Sequence, residues 1–232
     1  ICLRSTSSIG TSSYTANDSV TTYFDPATAD YRTKASGNFS DASIWEYKYQ
    51  GSSYAQASQA PGSGNNITIQ STDSVYLDQN LTVNTGKSVT VNGKIDCNTN
   101  VISGTGSFVL SSGASLYVGS ATGVAGNITT TTSTRDAGAN YIYNGSVQQT
   151  TSSLPNTVTG NVIINNSAGV LFNYGKAVNS PGSFIVKSGS SVSFGTGIGG
   201  NTYNLTGTGN FIAESGSTLI ITSSNEIGRA HV

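Results

Sequence analysis

His231 is the only histidine in the chain, and it sits in the last eight residues, NEIGRAHV. Imidazole is the side chain most often recruited for proton transfer near neutral pH, so this is the first residue to weigh as a catalytic base. Its surroundings argue against that role. Glu226–Val232 breaks the preceding Ser/Thr/Gly pattern abruptly, with no turn or capping logic. Read back as GAG ATC GGA AGA GCA CAC GTC, it resembles the start of a common sequencing adapter. Residues 226–232 are therefore expected to be non-native read-through, and His231 is expected to have no catalytic role.

Acid–base work on a polysaccharide needs clustered carboxylates, basic residues or a metal on one face. From Cys97 to Asn225 the charged residues are Arg135, Asp136, Lys176, Lys187 and Glu214, which offer no carboxylate pair. Asp73, Asp78 and Asp96 lie upstream, on what should be separate strands or turns. Asp73 and Asp78 suit turn capping better than Ca²⁺ ligation, since no EF-hand or Gly-rich calcium repeat is present. The many Ser and Thr hydroxyls lack a partner base. The run GTGIGGN (Gly195–Asn201) has no helix after it to present an N-terminus to a phosphate, so it reads as a turn. No enzyme activity, cofactor or metal site is expected.

Aromatic side chains are the remaining candidates. Tyr141 and Tyr143, in NYIYNGS, share a strand face and could stack on a sugar ring as a binding platform. The competing reading makes them the core contribution of a degenerate repeat. Trp45 reads as core of a lid rather than as a ligand platform. The tract ITTTTST (Ile128–Thr134) invites comparison with the flat Thr-x-Thr arrays that contact ice, but a single tract is not an array.

These residues must be positioned by a chain with unusual composition. Charged residues make up 9%, net charge is -1, and Gly counts 28 of 232, with Ser, Thr and Asn filling much of the rest. This is turn and β chemistry. The scarcity of Lys and Arg argues against nucleic acid. No apolar run reaches membrane-spanning length, so no membrane insertion is expected. Two cysteines, Cys2 and Cys97, do not make a disulfide framework. Cys97 follows Ile95 by two residues and reads as a small buried hydrophobe, with a Cys2–Cys97 bridge left open. With no Met and no signal peptide, the sequence reads as a mature piece or a fragment.

The strongest signal is an internal repeat. GSFVLSSGASLYVGS from Gly106, GSFIVKSGSSVSFGT from Gly182 and GNFIAESGSTLIITS from Gly209 can be laid over one another. Each carries an apolar pair two residues apart, a Gly-containing turn, and a second pair eight residues after the first: Phe108/Leu110 with Leu116/Val118, for example. The same step joins Ile67/Ile69 to Val75/Leu77, Leu81/Val83 to Val89/Val91, and Val162/Ile164 to Val170/Phe172. An i, i+2 pair places both side chains on one strand face, with the intervening Thr, Ser or Tyr outward. Strands this short bury a core only by stacking on neighbours. Unit starts at 67, 81, 108, 162, 184 and 211 give intervals of 14, 27, 54, 22 and 27. The 54 implies a degenerate unit between about 119 and 161, and the 14 implies that the first two units share a coil. The expected fold is all-β: a parallel β-solenoid, the right-handed β-helix, of three short strands per coil. An antiparallel β-sandwich is the alternative. Residues 1–30 read as a linker or the tail of a preceding domain, 31–64 as an N-terminal cap, and 65–225 as the solenoid. In the cap, Trp45, Tyr47 and Tyr49 alternate with Glu46 and Lys48 and predict an aromatic β-hairpin that covers the first coil.

The lead-in ASGNFSDASIW, followed by NNITI and the Gly/Ser-rich units, resembles the large secreted proteins of Gram-negative bacteria that carry a C-terminal sorting signal. Gly37, Asn38, Phe39, Asp41 and Trp45 match the family's lead-in to a β-helical segment, and the likeness covers roughly residues 31–225. It implies an adhesin-like passenger that is secreted or displayed at the cell surface, and the uncharged Ser/Thr/Asn face is expected to contact extracellular glycans or surfaces weakly and multivalently. The expected function is structural and adhesive. The alternative is a carbohydrate-binding or polysaccharide-active β-helix whose catalytic residues lie outside this sequence.

Overall fold

The structure is a computed structural model that describes residues 28–49, 52–194 and 204–221. The apolar i, i+2 pairs form short strands, and nearly every strand pairs in parallel with the one a coil earlier and a coil later. The result is a parallel β-solenoid of about six turns. Among the described residues the antiparallel pairings, Asp30–Thr33 with Trp45–Lys48 and Trp45–Lys48 with Ala55–Gln56, belong to the cap, so the sandwich is excluded.

Each coil visits three strand positions in turn. The first face holds Gly37–Asn38, Ser74–Tyr76, Lys94–Asp96, Ser115–Val118, Asn140–Tyr143, Val162–Ile164, Ser183–Val186 and Asn210–Ala213 as one eight-stranded sheet. The second and third positions begin as separate strands, Leu81–Thr82 and Ser88–Val91, that pair with two parts of the long strand Ile102–Leu110. A register shift between Gly104 and Ser107 separates those parts where Ile102–Leu110 meets Ile128–Arg135. In later coils the two positions are distinct sheets again: Gln149–Thr150, Val170–Phe172, Ser191–Phe194 and Thr218–Ile221 on the second face, and Thr157–Val158, Lys176–Val178 and Leu205–Thr206 on the third. The shared coil expected for residues 67–91 is present in part: Ile67/Ile69, Val75/Leu77 and Leu81/Val83 take its three positions, while Val89/Val91 stack on Ile67/Ile69 and open the next coil. The hidden coil is present, carried by Ile128–Arg135 and Asn140–Tyr143 and preceded by a four-residue helical turn, Val124–Asn127.

Inward columns make the core. On the first face Val75, Ile95, Leu116, Tyr141, Val162, Phe184 and Phe211 are successive register partners. All but Phe211 are at most 1% exposed. Burial of each such side chain contributes about 1.5–3 kcal/mol against the backbone entropy of ordering its coil. Polar clamps hold the corners. Asn127, fully buried, accepts from the backbone N–H of Gly119 and Ser120 and donates to the carbonyls of Asn98 and Asn100. Gln149 likewise donates to the carbonyls of Val118 and Ser120 and accepts from the N–H of Gly145. The Asn and Gln residues of the turns thus also tie each coil to the next.

The cap begins later than the solenoid does. Asp30–Thr33 and Gly37–Asn38 are already solenoid strands, parallel to Asn66–Ile69 and Ser74–Tyr76. The residues after them form the lid. Trp45 is fully buried, donates its indole N–H to the Phe39 carbonyl at 2.9 Å, and meets the Phe39 ring edge-on at 5.4 Å. Asp41 caps the 3-10 turn Ala42–Ile44 by accepting from Ser43 N–H at 2.8 Å. These lead-in residues are the packing hub of the cap.

Candidate functional site

Both sequence-picked tyrosines are inside. Tyr141 and Tyr143 are 0% exposed and occupy inward positions, so neither ring presents a face to a sugar, and the platform expected there is replaced by a core role. The physical reason lies in the same coil. The inward column of the third face carries Tyr31, Ile67, Val89 and Phe108 in earlier coils but Ser133 in this one, so large rings on the first face fill the interior. Burial pushes both phenols far above their ordinary pKa. Their hydroxyls have no protein hydrogen-bond partner.

The other sequence candidates are likewise structural. Asp73 accepts from Thr33 Oγ1 at 2.5 Å, and Asp78 accepts from the backbone N–H and the hydroxyl of Ser40, so both tie the first strands to the next coil. Among the described residues no three His, Cys, Asp or Glu side chains converge as metal ligands would. Cys97 is a free, fully buried thiol; burial, with the Asp96 carboxylate beside it, pushes its pKa well above the ordinary thiol value. Lys176 occupies an inward position and donates to the Leu154 carbonyl at 2.7 Å and to Asn156 Oδ1 at 3.1 Å, clamping a bend. Cys2, the run Gly195–Asn201 and His231 lie outside the described residues.

The site that the structure does assemble is on the outer surface of the first face. Asn38, Tyr76, Asp96 and Tyr117 are successive register partners and form one outward column across four strands. With Gly37, Ser74, Val75 and Lys94 they line an open groove of about 340 Å³. Tyr76 is 40% exposed. Asn98 organises the groove from the corner behind it. Its backbone N–H donates to Asp96 Oδ1 at 2.9 Å, and its side-chain amide donates to the Tyr76 hydroxyl at 2.6 Å. Asn98 adopts φ 45°, a left-handed conformation that Asn tolerates better than most residues. Asn144 Nδ2 donates to the other Asp96 oxygen at 3.3 Å.

Such an arrangement stacks and hydrogen-bonds. It holds one carboxylate and one ammonium, so it lacks the carboxylate pair that glycoside hydrolysis uses. Beyond Tyr117 the column changes character: its next partners are Ile142, Ile163, Ile185 and Ile212. The outward residue between each inward pair is therefore apolar over half of this face, rather than the expected Ser, Thr or Tyr.

A second outward array lies on the third face. Asp30, Asn66, Ser88, Ser107 and Thr132 form one column, and Arg32, Thr68, Thr90, Val109 and Thr134 form the next. The tract 128–134 is thus one row of an array whose other rows come from dissimilar sequence. Comparison with known proteins finds no matching family model, no matching curated protein and no matching solved structure, so the geometry itself carries the functional reading.

Proposed function

We propose that this chain is a non-enzymatic segment of a secreted or cell-surface solenoid, a stalk or adhesive element that touches extracellular glycans through its outer faces. The observation that carries the reading is the groove of Tyr76, Lys94, Asp96 and Tyr117, which combines an exposed and a half-buried aromatic ring with fixed hydrogen-bonding groups and a single carboxylate. Aromatic faces and a few placed polar groups are what sugar recognition needs, whereas acid–base cleavage needs a second carboxylate. Export is supported by the Ser/Thr/Asn-rich, charge-poor composition and by the likeness of the lead-in to secreted passengers. The test is retention on insoluble polysaccharides paired with a reducing-end assay. The purified protein should be retained and release no sugar. Release that copurifies with the protein makes it an enzyme, and failure to be retained on any polysaccharide removes the glycan reading.

A second reading is favoured by the two outward columns of the third face, where hydroxyl-bearing side chains repeat at the strand spacing of about 4.8 Å. Rows of hydroxyls at this spacing suit an ordered water lattice, and Asp30 and Arg32 bound the two columns at their first rung. Thermal hysteresis of a solution, abolished by Thr90→Lys, would support ice contact; its absence in the unaltered protein removes this reading.

A further inference from the structure

We propose that the groove on the first face binds a linear, uncharged glycan lying parallel to the solenoid axis. In this arrangement Tyr76 and Tyr117 are two ring-stacking subsites, Asp96 reads hydroxyls between them, and Asn98 positions the set. The proposal rests on the surface-glycan reading above and goes further by fixing the ligand's direction, length and charge.

Direction follows from register. Tyr76, Asp96 and Tyr117 sit on three adjacent strands at matching positions, so the line joining them crosses the strands and runs along the axis. Length follows from strand spacing. Two rungs separate the tyrosines by about 9–10 Å, and the full track from Asn38 to Tyr117 spans about 14 Å. One pyranose ring cannot lie on both tyrosines, whereas a chain of rings can. At the far end the column passes to Ile142, 6% exposed, which closes the polar track. Charge follows from composition, because Lys94 and Asp96 balance each other, and a polyanion would meet the Asp96 carboxylate at the centre of the track.

The groove is set before any ligand arrives. Each Asp96 oxygen already accepts one hydrogen bond, from Asn98 N–H and from Asn144 Nδ2, and a carboxylate has about four acceptor positions, so both oxygens retain capacity for sugar hydroxyls. The Asn98 amide fixes the Tyr76 ring through its hydroxyl. Groups held in place by such supporting hydrogen bonds lose less entropy on binding. Asn98 touches the two functional groups rather than the ligand and is a positioning residue.

The experiment is calorimetric titration with glucose and with β-1,4-linked gluco-, manno- and xylo-oligosaccharides from dimer to hexamer, with oligogalacturonate as the charged probe. For the preferred series, affinity should be weak for the monomer, rise roughly tenfold or more once the chain reaches both tyrosines, and level off when the track is filled. Oligogalacturonate should bind less well at every length. Tyr76→Ala and Tyr117→Ala should each reduce long chains to the affinity of short ones, while Tyr174→Ala, remote from the groove, leaves the profile unchanged. Asn98→Gly preserves the left-handed backbone and the N–H to Asp96 but removes the amide. It should lower affinity roughly tenfold, and a far-ultraviolet spectrum matching the parent's shows that the fold is kept. A flat length profile, with binding that survives both tyrosine variants, overturns the axial two-subsite arrangement and leaves the surface-glycan reading intact. No binding of any neutral oligosaccharide, in a protein retained on insoluble polysaccharide, places the contact elsewhere and also overturns the proposal.

Discussion

Substituting Gly182 by alanine tests whether the coils stack as described. Gly182 sits at the corner entering the first face, directly above Gly160 and below Gly209. A Cβ built there lies 2.1 Å from the Gly160 carbonyl oxygen and 2.8 Å from the Thr159 carbonyl, where ordinary contact begins near 3.4 Å. Both obstacles are backbone of the neighbouring coil, so relief requires the coils to part by about 1 Å. Overpacking of this kind costs about 1–3 kcal/mol, and a backbone obstacle places Gly182→Ala at the upper end, near 3 kcal/mol. For a chain of this size that lowers Tm by about 6–12 °C. Gly175→Ala is the matched control: its Cβ would meet the Asn204 carbonyl at an ordinary 3.6 Å, and its effect should stay within about 0.5 kcal/mol. Thermal melting followed by far-ultraviolet circular dichroism reads both variants. Hydrogen exchange should show protection lost first in the coils on either side of residue 182, because a solenoid coil is held by its neighbours. A Gly182→Ala protein that melts with the parent would refute the stacking geometry.

Three further outcomes follow from the core. Tyr143→Phe removes a hydroxyl with no protein partner and should hold or raise stability in urea denaturation, whereas Tyr143→Ala should cost about 3–5 kcal/mol; a loss above about 1 kcal/mol for Tyr143→Phe would contradict the burial. Cys97 should resist a thiol reagent in the native protein and react on unfolding in denaturant, since burial keeps it as a neutral thiol; labelling at native protection from proteolysis would contradict this. Alkaline stability should fall as pH rises past about 10. Burial raises the folded-state pKa of Tyr141 and Tyr143, so their contribution is complete below the unfolded value and is lost as the unfolded chain deprotonates. A denaturation midpoint flat from pH 9 to 11 would count against it.

The fold was legible because inward pairs repeat with a rhythm that survives loss of identity. The phase of that rhythm was not. Phe108/Leu110 and Leu116/Val118 lie on the third and first faces, while Phe184/Val186 and Val192/Phe194 lie on the first and second. The step of eight therefore measures one corner rather than one coil, and similar segments stand at different corners. Counted on a single face, from Ile95 through Leu116, Tyr141, Val162 and Phe184 to Phe211, the coils span 21, 25, 21, 22 and 27 residues. The interval of 54 spans two coils and an extra face, so its equality with twice 27 is coincidental.

The groove was hidden for a related reason. Its members are about 20 residues apart, and only register brings Tyr76, Asp96 and Tyr117 into one column. A signal was present in the triplets Val75-Tyr76-Leu77, Ile95-Asp96-Cys97 and Leu116-Tyr117-Val118, each an inward pair flanking one functional side chain. Tyr141 and Tyr143 are two aromatics that share one strand face. That face is the inward one, with Ile142 between them turned outward. Which face of a strand is inward is decided by the neighbouring coils, and one strand's alternation cannot state it.

The double variant Tyr76→Ala/Tyr117→Ala, compared with Tyr141→Phe/Tyr143→Phe for retention on an insoluble β-linked polysaccharide, separates an outward glycan groove from the inward rings. Both rings lost in the first variant face outward, so its melting temperature should stay close to the parent's. The first variant should lose retention and the second should keep it. Retention that survives the first and disappears with the second would contradict the outward groove.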